Sequence, residues 1–490
     1  MGGRKILKKK SLGINALLNS LQSLLNLIFP LITFPYISRV LSVNSVGKYN
    51  FSNSIISYFL LLAAPGISTF AVREGSKFRE NRSEFSYFAG KIFSINLISM
   101  FISYVLLFII ISCVPTLHEY RLAILIFSIQ IFFTTIGTEW IYIIYEEYSY
   151  ITLRNIFFKI ISIILLFIFV KHSNDYLNYV IITVFASTGS YILNFFHAKK
   201  YWDLQVDFKF DIKQYLVPML TIFMSTIAIQ IYVNLDTTMI AFLVGDYSVG
   251  IYSVATKIYT MVGFVMIAML TATIPRLAML AGQKRFEEYS NLLKELVNSL
   301  AVIVLPGIVG LFMVSKDIII LIAGEKYIRA SFSLKILCFA LIGSILSTFF
   351  NHCVLIPMKR EKGTLTSSST SAILNICLNF ILIPILAEKG AAITTAISEF
   401  VMAGMNYYFC RDKVGYIFKD RELLKNIVTT VMGCVAIIIV SAVCHFTING
   451  VFLRLLLTVI FSVISYVIIL LLLKNIIITT YVKKIVSKII

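Results

Sequence analysis

The sequence predicts an all-α integral membrane protein with about 14 transmembrane helices. Three observations carry that prediction. First, 59% of the 490 residues are hydrophobic and only 14% are charged. A soluble domain is nearer half apolar and a quarter charged. Second, the apolar residues fall into fourteen runs of roughly the length a bilayer demands, about 20 residues each, joined by short connections. Third, Lys and Arg alternate strongly between the two sets of connections, as in polytopic membrane proteins.

In chain order the runs are 13–37, 49–71, 86–114, 122–145, 155–170, 177–197, 216–243, 249–274, 297–322, 333–357, 364–386, 390–410, 426–447 and 454–473. The first follows a basic N-terminus without a small-residue cleavage site, and reads as a retained helix rather than a signal peptide. Gly2 is followed by Ile6 where a myristoylation signal has Ser or Thr, so no lipid anchor is expected. No connection is long enough to hold a soluble catalytic domain. Of the 43 Lys and Arg, 32 fall on the side that carries both termini, 9 on the other, and Lys257 and Lys335 lie inside runs. That asymmetry predicts cytoplasmic termini and an even number of spans. It also accounts for most of the formal net charge of +19 without invoking nucleic acid as a partner.

The chain carries an internal repeat. SVGKYNFSNSI (45–55) and SVGIYSVATKI (248–258) match at Ser45/Ser248, Val46/Val249, Gly47/Gly250, Tyr49/Tyr252 and Ile55/Ile258. Six runs separate the copies, so the two halves share an orientation, as in a parallel repeat about the membrane normal. Between the halves, Trp202, Leu204, Val206, Phe208, Phe210 and Ile212 alternate with Asp203, Gln205, Asp207, Lys209 and Asp211. Period two predicts an extended linker with one buried face, lying along the cytoplasmic surface. The tail from Lys474 mixes Ile with Lys and is expected at the membrane surface.

Ionisable residues at bilayer depth carry the functional signal, because each must face a partner or a cavity. The candidates are Glu139, Asp236, Lys257, Lys335 and Glu399. Asp236 and Lys257 lie ten residues before and eleven after Asp246, the tip of a hairpin, which puts both about 15 Å below it by helical rise. They read equally as a structural ion pair or as a functional set, with Lys257 facing phosphate and Asp236 binding a proton or sodium ion. Arg39 stands on the positive-poor side, where a cavity role balances headgroup snorkelling. Trp140 reads as an interfacial anchor, Arg154 as a positive-inside charge, and Glu146 and Glu147 as solvated. The hydroxyl run TLTSSSTS (364–371) suits close helix packing. Pro30, Pro35, Pro218, Pro275 and Pro306 mark candidate hinges.

The seven cysteines read as apolar filler, with no CxxC pair among them. There is no GxxxxGK[ST], HExxH or GxSxG, and no metal-ligand spacing among the histidines. No enzymatic constellation and no cofactor are expected.

The ordered motifs resemble the polysaccharide transport (Wzx-type flippase) family of the multidrug/oligosaccharidyl-lipid/polysaccharide exporter superfamily. They begin with FPYISRVLSVNSVGKYNFSNSI (Phe34–Ile55), whose Pro35, Ser38, Arg39, Gly47 and Tyr49 match the family's first signature. GISTFAVRE (Gly66–Glu74), EWIYIIYEEYSYITLRN (Glu139–Asn155) and IYVNLDTTMIAFLVGDYSVGIYSVATKI (Ile231–Ile258) follow. IPRL (Ile274–Leu277), LPGIVGL (Leu305–Leu311), GEKY (Gly324–Tyr327) and AISEF (Ala396–Phe400) complete the order. Ser42 departs from the usual glycine after Arg-x-Leu.

The resemblance implies two six-helix lobes in a V around a central cavity, plus a C-terminal helix pair. The boundaries would be 1–200 for the N-lobe, 201–214 for the linker, 215–414 for the C-lobe and 415–490 for helices 13 and 14 with the basic tail. It implies a flippase for undecaprenyl-diphosphate-linked oligosaccharides in the bacterial plasma membrane, serving capsule, exopolysaccharide or O-antigen synthesis. Arg39, Lys257 and Arg276 would then meet the diphosphate. Asp236, Glu139 and Glu399 would couple a proton or sodium ion. Besides the lipid-linked oligosaccharide and membrane lipids, a polysaccharide polymerase and chain-length proteins would be partners. A multidrug or cation antiporter of the same superfamily is the nearest alternative, with a more acidic, aromatic cavity. A polymerase or ligase would need larger outer loops. A scaffold protein fits the intramembrane charges less well.

Overall fold

The computed structural model describes Leu18 and residues 28–203 and 205–479, with backbone alone at 225, 228, 229, 231 and 232. All regular structure among the described residues is helical. We number the helices α1 (Ile28–Val40), α2 (Val43–Ala63), α3 (Ile67–Gly75), α4 (Arg82–Cys113), α5 (Arg121–Gly137), α6 (Glu139–Ile144), α7 (Tyr148–Phe169), α8 (Tyr176–Thr188), α9 (Tyr191–Ala198), α10 (Ile212–Leu243), α11 (Asp246–Gly282), α12 (Phe286–Ala323), α13 (Ala330–Thr348), α14 (Glu361–Leu386), α15 (Glu388–Val414), α16 (Arg421–Thr447) and α17 (Val451–Leu472).

Among the described residues, eleven helical segments are long and apolar enough to cross a membrane. The other three predicted spans fall on α1, α10 and α15. The described part of α1 is short, and residues 13–27, Leu18 apart, lie outside the described residues. α15 is long, but Glu388, Lys389, Glu399, Arg411, Asp412 and Lys413 dilute its hydropathy. The protein is thus a multi-pass, all-helical membrane protein. Its exposed surface is rich in Phe, Ile, Leu and Val, such as Phe101, Phe157, Ile385 and Leu472, as a lipid-facing exterior requires.

Local chemistry sets the helix ends. Ser42 caps α2 through Ser45, and Asn81 caps α4 by accepting from the amides of Ser83 and Glu84. Asp420 caps α16, accepting from the Glu422 amide. That bond and the ammonium of Lys294, 3.0 Å away, hold its carboxyl below the usual range. Three predicted spans are broken, one of them at Gly189 and Ser190 between α8 and α9. Gly66, with φ +67°, separates α2 from α3. A Cβ there would lie 2.4 Å from the Met219 carbonyl oxygen, so glycine answers both the turn and the close approach. Thr138, also left-handed, separates α5 from α6. The prolines read as hinges behave otherwise: α10, α11 and α12 continue through Pro218, Pro275 and Pro306. Each ring removes one backbone donor, which a long helix tolerates.

The chain divides into two compact units, residues 1–242 and 243–490. In the first, one core cluster gathers α3, α4, α6 and the start of α10 around Phe85, Ile92, Trp140 and Tyr142. A second gathers α2, α5 and α8 around Phe51, Phe127 and Val180. In the second unit, α17 joins α12 and α16. Tyr466 donates to the Val302 carbonyl at 2.6 Å, and Asn426 bridges Asn298 and Asn475 at 2.8 and 2.6 Å. The hydroxyl run packs as its composition suggests. Ser367 and Ser371 are buried, and Ser371 donates to the Ser398 carbonyl of α15 at 2.7 Å.

The repeat occupies one register in both units. Ser45 is the third residue of α2 and Ser248 the third of α11. Tyr49 donates to Thr183 of α8 at 3.2 Å, and the hydroxyls of Tyr252 and Thr395 of α15 lie 3.3 Å apart. Both threonines bond back to the carbonyl four residues earlier.

The linker from Trp202 to Asp211 is neither helix nor strand where described. Its contacts with α4 are evenly spaced. The Asp203 amide donates to Ser86 at 3.0 Å and the Asp207 amide to Ser94 at 2.8 Å. Gly90 faces the Gln205 carbonyl, 3.0 Å from where a Cβ would stand. Four helical residues rise about 6.0 Å and two extended residues about 6.6 Å, so the two periods match. The buried apolar face is a correction, however. Trp202 is buried against Phe93 of α4 and Phe210 packs on the core cluster, but Val206, Phe208 and Ile212 are exposed, because between those two rings it is the backbone that meets α4.

Candidate functional site

The break at Thr138 builds a polar site inside the first unit. It starts α6 at Glu139, whose carboxylate sits in the first turn, where the helix dipole favours negative charge. Arg154 of α7 lies 3.3 Å from it. The Arg154 side chain is 3% exposed and that of Glu139 33%. The guanidinium also donates to Asn194 of α9 and to Asn155, and lies over the rings of Tyr150 and Tyr191. Tyr191 donates to the second oxygen of Glu139 at 3.1 Å.

Three sequence expectations fail here, the first two at the same turn. Arg154 is a buried ion-pair partner rather than a loop charge. Trp140 is 4% exposed within the core cluster rather than an interfacial anchor. Both follow from the left-handed turn at Thr138, which carries the segment inward. Glu146 and Glu147 are half-buried rather than simply solvated. Glu146 pairs with Arg79 at 3.0 Å, and Glu147 accepts from Tyr201 at 2.6 Å.

The remaining candidates divide between exposed cations and buried carboxylates. Arg39 is exposed on the last turn of α1. Lys257 and Arg276 are exposed on α11. They are nineteen residues apart, which is about 28 Å along a helix, close to the hydrocarbon thickness of a bilayer. Asp236 is buried on α10 within the first unit. Near it, Thr238 lies 3.2 Å from both Ser54 and Tyr58 of α2. Glu399 is buried on α15 where α13 crosses closely, since a Cβ on Gly343 would meet the Glu399 backbone at 2.8 Å. Arg39, Glu139 and Asp236 thus belong to the first unit, and Lys257, Arg276 and Glu399 to the second.

Sequence reasoning missed a buried polar chain across α14 and α15. Thr394 donates to Asn379, which donates to Asn375 at 3.0 Å. The signal was available: two asparagines four apart in an apolar helix share one face. Among the described residues no group of three or more His, Cys, Asp or Glu could hold a metal ion.

The sequence profile of the polysaccharide biosynthesis protein family matches residues 12–281. The chain belongs to that family. The MatE family profile matches residues 221–381. The chain is 23% identical over 394 residues to a protein named "Putative O-antigen transporter" from Escherichia coli (strain K12), covering 79% of this chain and 94% of that one. It is 23% identical over 383 residues to capsular polysaccharide biosynthesis protein CapF of Staphylococcus aureus, covering 76% and 92%.

Among solved structures, the lipid II flippase MurJ in an inward closed conformation superposes with a TM-score of 0.72 at 16% identity, over 94% of this chain and all of that one. An inward-facing multidrug resistance MATE family transporter superposes at 0.62 with 14% identity, over 82% and 96%. The family member described here therefore shares the all-helical fold of these two solved transporters.

Proposed function

We propose that the protein moves undecaprenyl-diphosphate-linked oligosaccharide repeat units from the cytoplasmic to the outer leaflet of a bacterial plasma membrane, for surface polysaccharide synthesis, by ion-coupled alternating access. The names of the O-antigen and capsule relatives support the substrate class. The observation that carries it is Lys257, a cation about 16 Å along α11 by helical rise, exposed on the surface of its unit. A lysine at that depth is expensive unless it meets water or an anion, and a diphosphate supplies the anion.

Lys257 and Arg276 are too far apart along α11 for one diphosphate to touch both at once. The cations therefore act in sequence, Arg276 near the leaflet of entry and Lys257 nearer the leaflet of release. The polyprenyl tail needs no polar path and stays in lipid. Asp236 and Glu399, the buried carboxylates, are the proposed coupling residues. Glu139 belongs with them only if it exchanges its partner Arg154 during the cycle.

The test is deletion of the gene followed by complementation. Loss of the protein is expected to accumulate lipid-linked repeat units on the cytoplasmic side. K257Q is expected to lower surface polymer at least tenfold, and K257R to restore most of it. Normal polymer with K257Q and D236N together would overturn the roles given to both residues. Exchange of drugs or cations is the second reading, favoured by the MatE match. Drug sensitivity on deletion, with lipid-linked intermediates unchanged, would decide for it.

A further inference from the structure

The second unit contains a cavity of about 350 Å³ that no step of the proposed transport uses. It lies among α12, α13, α16 and α17, and its wall includes Lys316, Asp317, Lys335, Ser441, His445 and Arg454. Arg454 grips Asp317 through Nε at 2.8 Å and through a second guanidinium nitrogen. That pair accounts for one cation and the one carboxylate. Among the described residues, neither Lys316 nor Lys335 has an ion pair. Lys335 rests 5.3 Å from the centre of the Phe312 ring. The hydroxyl of Ser441 is buried in the same wall and has no hydrogen-bond partner. The wall therefore presents two uncompensated ammonium groups and an orphan hydroxyl around a space large enough for a small anion and water.

Depth narrows the choice of anion. Lys316 stands seven residues before the end of α12, Lys335 five after the start of α13, Ser441 six before the end of α16 and Arg454 three after the start of α17. By helical rise all four lie within about 10 Å of one end of the helix bundle, the depth of lipid phosphates and glycerol in a bilayer. The Lys and Arg count makes this the positive-poor side, so orientation does not explain these cations. The outer surface beside the cavity is apolar: Phe446, in the wall, is 85% exposed, Val443 on the same helix is exposed, and so is Phe339, whose ring packs on Phe312 under Lys335.

We infer that this cavity binds the phosphodiester headgroup of an anionic phospholipid, with Lys316 and Lys335 on the phosphate, Ser441 as a further donor, and the acyl chains along the exposed apolar face. The Arg454–Asp317 pair orients α17 against α12 and shapes the wall without neutralising the lysines. A net positive wall favours an anionic lipid over a zwitterionic one. The inference does not rest on the transported substrate.

The test is photocrosslinking in place. The full-length protein, with p-benzoylphenylalanine at position 446, is reconstituted in nanodiscs of equal phosphatidylglycerol and phosphatidylcholine with matched acyl chains. Crosslinked lipids are then identified by mass spectrometry. Phosphatidylglycerol is expected in clear excess over its share of the bilayer. K316Q and K335Q should each cut that excess about fivefold, as for a basic residue at a charged lipid surface, while K316R and K335R keep it. K209Q/K213Q, which changes charges in and beside the linker, should leave it unchanged. Equal crosslinking of the two lipids, or an excess that survives K316Q/K335Q, overturns the inference. So does loss of the excess on adding inorganic phosphate alone, which would assign a free anion instead. Should the double variant fail to fold, the single variants carry the same comparison.

Discussion

Glu139 and Arg154 form a pair buried on one side only, so removing either partner has unequal consequences. The Arg154 side chain is 3% exposed and cannot be rehydrated in place, whereas Glu139 keeps a third of its surface. Stripping a buried charge of its counter-ion costs about 3–5 kcal/mol, while replacing both charges with apolar groups is often neutral or better. E139M is therefore expected to be strongly destabilising. The double variant E139M/R154M should recover a large part of that loss. Thermal unfolding of the purified protein in detergent checks both. A double variant as unstable as the single one would mean that Asn194 and Tyr191, not the charge pair, hold α6, α7 and α9 together. If Glu139 instead acts in ion coupling, the double variant will be stable and inactive. Little of this was legible beforehand. Arg154 sits near the cytoplasmic end of an apolar run, where positive-inside charges are the common case, and only the left-handed turn at Thr138 brings Glu139 against it.

At the scale of elements, two contacts depend on the absence of a side chain. α13 approaches α15 so closely that a Cβ on Gly343 would stand 2.8 Å from the Glu399 backbone. The backbone cannot yield as a flexible side chain would, so G343A is expected to cost about 1–3 kcal/mol, as overpacking does. Lower folded yield and a lower unfolding midpoint are the readouts. The linker lies on α4 in the same manner, held at Ser86 and Ser94 with Gly90 between. Each hydrogen bond contributes about 1 kcal/mol. S86A/S94A should therefore leave the helices folded but speed tryptic cleavage at Lys209 and Lys213. Unchanged cleavage would mean that Trp202, buried in the core cluster, suffices to seat the linker. Helix positions were legible because lipid imposes length and apolarity on every span. The linker's extended form was legible from its period of two. Its exposed Val206 and Phe208 were not, since period two tells which residues share a face and not which face meets protein. The Gly66 and Thr138 breaks were equally hidden, because helix identity at bilayer depth is carried by composition and a single left-handed residue leaves composition unchanged.

For the whole molecule, the repeat and the charge asymmetry are separate statements about orientation, and they agree. Ser45 and Ser248 hold the same place in α2 and α11, and Tyr49 and Tyr252 each reach a threonine that bonds back into its own helix. A parallel repeat requires both copies to begin at the same face of the membrane. The Lys and Arg count puts that face on the positive-poor side, because the segments 41–48 and 244–250 carry one lysine between them, Lys48. The segments at the other end are basic: Arg73, Lys77, Arg79 and Arg82 in one half, Lys284 and Arg285 in the other. Basic residues near span ends resist translocation, so both copies should start outside and both basic segments should stay in the cytoplasm. The check is single-cysteine labelling of intact cells in a background lacking the seven native cysteines, using a reagent that does not cross membranes. Cysteines placed at Asn44, Tyr247 and Lys326 should react from outside. Those at Lys77 and Lys284 should react only after the membrane is opened. Labelling of Asn44 but not Tyr247 would make the repeat inverted rather than parallel. That outcome would place Lys257 and Arg276 at the opposite leaflets from those proposed, and would reverse the order in which they meet the diphosphate.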